Sequence, residues 1–167
     1  MRSEHPAIAL RLQAWPLAGR GAELGSLHTT RMTKDWQDAT SSGDTERVGS
    51  LLDAGAPINA LDRHGQTALM NAAHKGHAEV VRLLAKRGAD LNHAAKYGLT
   101  ALMLAVIADH PDVVRVLVDA GAHITLRGSP NTTPFYDKTA LELAEQMKRT
   151  RCAEILQHAD TKHDTHA

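Results

Sequence analysis

The chain has eleven histidines, and three of them stand among aspartates near its end. His158, Asp160, His163, Asp164 and His166 supply nitrogen and oxygen donors of the kind that hold a divalent cation. A metal site also needs an ordered support that makes its ligands converge, whereas a short terminus rich in such residues reads as a solvated tail. No metal is expected, and metal binding by this tail stands as a remote alternative. Cys152 is the only cysteine, so no disulfide framework and no paired thiolate site can form. It falls in an apolar segment and reads as a buried, inert thiol. No glycine-rich phosphate loop and no nucleophile elbow occurs. Neither a catalytic residue nor a cofactor is expected, and the chain does not read as an enzyme.

What must position these groups is visible as a repetition. Gly65-Gln66-Thr67-Ala68-Leu69-Met70 returns as Gly98-Leu99-Thr100-Ala101-Leu102-Met103, 33 residues later. Gly55-Ala56, Gly88-Ala89 and Gly121-Ala122 keep the same offset, as do Val48, Val81 and Val114, and Leu51, Leu84 and Leu117. Such a period is the signature of a solenoid, in which each unit buries its apolar face only against its neighbours.

Local signals divide each unit into two short helices. Thr67, Thr100 and Thr139 precede apolar, alanine-rich segments and can accept from the free N–H groups of a helix start; Thr139 and Glu142 form a capping box. The first helix of the second unit is predicted over Ala68–Lys75 and the second over Ala78–Lys86, each too short to persist without the other. Gly43 and Gly76 are predicted in left-handed conformation between paired helices, with Asp109 in that place in the third unit and Pro111 in the first turn that follows. Arg47 and Ser50 replace apolar residues in the first unit, and Glu145 and Gln157 do so in the fourth, so both ends read as caps.

In length and wording the pattern resembles the ankyrin repeat from about Trp36 to His158, with Ala68 and Met70 where that family usually has Pro and His. The Thr-Ala-Leu-Met wording is similar to that of bacterial members. The resemblance implies an all-α solenoid of stacked helix-turn-helix units joined by β-hairpin-like loops. It further implies a partner bound by the hairpin tips and the concave inner helices, and a structural hydrogen-bonding role for His77 and His110. Four units are expected, near 32–61, 62–94, 95–127 and 128–158, with a polar, disordered tail at 159–167.

In this register the tips carry Arg63, His64, Lys96, Tyr97, Phe135 and Tyr136, flanked by Gln66 and Leu99. The last three of the chain's five aromatic residues thus fall at the tips, and exposed Tyr, Phe and Arg are residue types that anchor interfaces. The inner helices add His74 and Lys75 in the second unit and Ile107 in the third. Ile107 reads either as part of an apolar floor or as tucked against the fourth unit. The fourth unit carries six extra residues within Arg127 to Asp137, stiffened by Pro130 and Pro134. This loop reads either as a binding edge or as a cover over the last unit.

Composition narrows the class further. Formal charge is zero with His neutral, so the chain as a whole has no basic footprint for nucleic acid or an anionic membrane. No apolar run approaches the roughly 20 residues of a membrane span. Residues 1–31 lie outside the repeat and read as a disordered leader or as upstream of the true start; Arg11 interrupts their apolar stretches, against a secretory signal. A cytoplasmic, monomeric, non-catalytic module binding an unidentified protein is the leading expectation. A structural or assembly subunit that self-associates through the aromatic edge is the alternative.

Overall fold

The computed structural model describes residues 31–129 and 137–163, and within them the chain forms eight α-helices in four consecutive pairs. These are α1 (Lys34–Ser42) with α2 (Thr45–Asp53), α3 (Ala68–Lys75) with α4 (Ala78–Lys86), α5 (Ala101–Ile107) with α6 (Pro111–Asp119), and α7 (Ala140–Gln146) with α8 (Thr150–His163). The first helices pack in series, α1 on α3, α3 on α5 and α5 on α7, and the second helices do the same. Two helical layers result, each unit touching its neighbours, as the 33-residue period predicts.

Sequence explains where each helix starts and stops. Thr33, Thr67, Thr100 and Thr139 accept through their side chains from backbone N–H groups three residues on. The Thr139 amide also donates to Glu142 Oε2 at 2.7 Å, completing the capping box. That backbone hydrogen bond, helped by Arg127, holds the Glu142 carboxyl below its usual range. Gly43 and Gly76 are left-handed, with φ of 78° and 82°, and Asp109 adopts φ 61° at the same place. Glycine is required at the first two for a second reason: a Cβ there would lie 2.7 Å from the ring of His77 or His110, respectively.

Of the two histidines at unit entries, His77 makes a structural hydrogen bond and the His110 ring lies against Gly76. His77 Nε2–H donates to the Ser41 carbonyl at 2.8 Å, which ties the second unit to the first. On the opposite edge the turns are chained. The Asp90 amide donates to Asn59 Oδ1 at 2.9 Å, and the His123 amide donates to Asn92 Oδ1 at 2.8 Å, one unit further on.

The core is a single cluster of alanine, valine, leucine and methionine shared between layers, with Leu69, Leu84, Leu102, Leu117 and Leu143 fully buried. Trp36 takes the position of Leu69 and Leu102 in the first unit and is also buried, its Nε1–H without a hydrogen-bond partner. At the ends, Arg47 and Ser50 are exposed on α2. Glu145 and Gln157 are exposed on the last pair, and Gln157 Nε2 donates to Glu145 Oε1 at 3.3 Å.

Two features depart from expectation. The hairpin-like connections carry no strand ladder among the described residues; there is one isolated bridge, between Arg31 and Leu61, and a single 3₁₀ turn at Lys96–Gly98. Further, α8 runs on to His163, so residues 159–163, expected in a disordered tail, are helical. The cause lies in one residue: Asp160 stands where the other units have Gly55, Gly88 and Gly121, and without a left-handed glycine the helix has no stop. Residues 1–30, 130–136 and 164–167, which include Phe135, Tyr136, Asp164 and His166, lie outside the described residues.

Candidate functional site

The loops that precede α3 and α5 project Arg63-His64 and Lys96-Tyr97, and each is built differently. In the second unit Asp62 organises the tip. Its Oδ1 accepts from the amides of His64 at 2.7 Å and Gln66 at 3.0 Å, and its Oδ2 accepts from Asn71 Nδ2 at 3.4 Å. The half-buried Asp62 is thereby committed to the turn, and Arg63 and His64 are left exposed. Arg63 Nε donates to His64 Nε2 at 2.9 Å, which assigns the ring proton to Nδ1 and leaves the terminal guanidinium nitrogens available.

Ala95 replaces Asp62 in the third unit, so the side-chain turn bonds are lost and only the backbone closure common to both tips remains; in the second unit the Gly65 amide donates to Asp62 O at 3.1 Å and the Asp62 amide to Gln66 O at 2.9 Å. The Gly98 amide donates to Ala95 O, and Ala95 N to Leu99 O, each at 3.0 Å. Tyr97 is left-handed at φ 68°, an uncommon state for a bulky residue, and among the described residues it is the one large hydrophobic side chain classed as exposed, at 37%. Lys96 Nζ lies 4.8 Å from the centre of its ring, a cation–π contact. From below, the Ser129 amide donates to Tyr97 O at 2.8 Å, so the unit-four loop supports the strained residue. His93 Nε2–H donates to Gly65 O at 3.0 Å and connects the two tips.

Beside the tips run the inner helices. His74 and Lys75 are exposed at the end of α3, with Asn71 half-buried beside them. In the third unit Leu104 is buried, and Ile107 is half-buried and packed against the core. At the N-terminal end, Arg31, Lys34, Asp38 and Arg63 help line an open depression of about 540 Å³.

One residue assigned to the site from sequence does not belong there. Leu99 is 9% exposed and forms part of the core, whereas its counterpart Gln66 is half-buried. A polar residue at this position in one unit made the position look like surface in both. The other described candidates, Arg63, His64, Gln66, Lys96, Tyr97, His74, Lys75 and Ile107, lie on the tips and the inner helices. Sequence reading missed the Asp62 network and the left-handed Tyr97; the aspartate placed three residues before Gly65 was the available signal for the first.

Other chemistry-bearing residues are dispersed. Among the described residues no three His, Cys, Asp or Glu side chains converge as metal ligands would. His158 and Asp160 are exposed on α8. Cys152 is buried, and burial together with the nearby Asp109 carboxylate pushes its thiol up to about 11, away from nucleophilic use at neutral pH. No described helix is long and apolar enough to cross a membrane.

Stacked helix pairs with projecting tips define a repeat solenoid. The family model for ankyrin repeats (3 copies) matches residues 36–128, more than half of the chain, and the protein belongs to the ankyrin repeat family. Members of that family are generally protein–protein interaction modules and typically non-catalytic. No curated protein matches the chain.

Proposed function

We propose that this protein is a non-catalytic interaction module whose partner protein docks on the tips and inner helices. Arg63, His64, Gln66, Lys96, Tyr97, His74, Lys75 and Ile107 are the proposed contacts, and Phe135 and Tyr136 are proposed with them from the sequence register alone. The observation that carries this reading is Tyr97. A bulky side chain is kept exposed on a residue whose left-handed backbone costs roughly 1 to 2 kcal/mol. Rigid exposed tyrosines are the residues that anchor interfaces, because they supply contact area with little entropy to lose.

The test compares the full chain with its Tyr97→Ala/Tyr136→Ala variant as baits in native cell lysate. A protein captured by the parent and lost from the variant, with thermal melting unchanged, supports the reading. Identical captures move the interface away from the tips. Sedimentation of the purified chain over a range of concentrations addresses self-association through the same edge.

A further inference from the structure

The chain is neutral overall, yet its charge is distributed unevenly. The tips and inner helices of the first three units carry Arg31, Lys34, Arg63, Lys75 and Lys96, all exposed, together with the exposed rings of His64 and His74. Four carboxylates lie in the same segments, and three of them are occupied. Asp35 faces Arg47 of α2 at 3.5 Å, Asp62 is bound into its turn, and Asp109 pairs with Arg149 at 3.2 Å. Asp38 is the carboxylate left over. The outer helices, by contrast, mix Glu46, Asp53, Glu79, Asp112, Asp119 and Glu154 with their arginines and lysines in near balance.

We propose that this cationic face receives an extended acidic segment of the partner protein, an inference that rests on the docking reading above. Geometry sets its spacing. Stacked helices stand about 8 to 10 Å apart, so consecutive tips repeat at that distance, and an extended chain advances about 10 Å in three residues. An acidic residue at every third position therefore meets Arg63 and then Lys96, while Tyr97 packs against the stems between. A nucleic acid fits less well, because the cations on this face are few.

The experiment uses the full chain and a labelled, extended peptide of roughly 15 residues with Glu at every third position, long enough to cross three units. Its Gln counterpart and an oligothymidylate of equal charge serve as comparison probes. Fluorescence anisotropy is measured for the parent, for Arg63→Glu/Lys96→Glu, and for Lys86→Glu/Arg115→Glu, which makes the same charge change on the outer helices. Binding of the Glu peptide, loss of about tenfold or more in affinity for the first pair only, and loss of binding at 1 M salt, where screening acts within about 3 Å, support the proposal. Equal weakening by both pairs, tighter binding of the oligothymidylate, binding of the Gln peptide as well as the Glu peptide, or no binding of the Glu peptide overturns it. In any of those cases, lysate capture that still depends on Tyr97 leaves the docking reading standing with a partner of different chemistry.

Discussion

Arg149 Nη1 lies 3.2 Å from Asp109 Oδ2 and joins the last helix pair to the one before it. The same junction is made twice earlier by other residues: His77 covers Gly43, and His110 covers Gly76. The left-handed residue and the residue that covers it change together along the stack. A flat ring pressed on the turn demands glycine, whereas the longer Arg149 leaves space for a side chain and gives it a counter-charge.

Strain and pairing should therefore nearly cancel at Asp109. Asp109→Gly relieves roughly 1 kcal/mol of left-handed strain and loses an exposed ion pair of ~0.2 to 1 kcal/mol, so its stability should stay within about 1 kcal/mol of the parent. Asp109→Ala keeps the strain and loses the pair, and should fall about 1 kcal/mol below the Gly variant. Urea midpoints measure both. Equal stability of the two variants would rule out strain as the reason for glycine at this junction.

Leu84 is fully buried on α4, between neighbouring outer helices. Leu84→Ala should cost roughly 2 to 5 kcal/mol as a cavity substitution. A loss of a few tenths in chemical denaturation would place this side chain outside the core.

Glycines 88 and 98 separate two causes of intolerance. Both have positive φ, but a Cβ at Gly88 meets open space while one at Gly98 meets the Ser129 amide nitrogen at 2.6 Å. Gly88→Ala should cost about 1 kcal/mol, and Gly98→Ala at least about 1 kcal/mol more, since backbone cannot rotate aside as a side chain can. Similar midpoints for the two variants would mean that the unit-four loop does not hold the tip.

Cys152 gives a signature at high pH. Its thiol is pushed from 9.0 up to about 11 in the folded state, so the native protein holds a proton that the unfolded chain releases first. The stability contributed by the buried thiol is intact below pH 9 and is lost as pH rises from 9 towards 11. Cys152→Val, which installs the residue of the equivalent positions Val80 and Val113, should flatten that part of the stability profile. An unchanged slope in the variant would assign the loss to other groups.

Repetition made most of the fold legible. Ala68–Lys75 and Ala78–Lys86 were readable to the residue because caps and left-handed glycines mark them on both sides. Differences between units were harder to read, since they depend on what a neighbour presents. Leu99 is core although Gln66 is not, and the third tip lacks the side-chain turn bonds of the second because Ala95 cannot supply the carboxylate of Asp62. The run of α8 to His163 follows from a missing glycine, a signal that was present but that an apolar pattern ending near Leu156 concealed. The balanced total charge likewise hid a face on which cations outnumber carboxylates.

The amides of Asp90 and His123 each hang from an asparagine of the turn before, so among the described residues this edge is linked one step at a time. Mechanically, such a structure is a row of clasps in series. Clasps in series all carry the same tension, so the weakest opens first and leaves the others fastened. Where a whole unit also leaves the shared core, 33 residues are released, about 110 Å of chain at the ~3.3 Å per residue of an extended backbone. Extension would thus proceed in discrete lengths, with the remaining units still folded beside the gap.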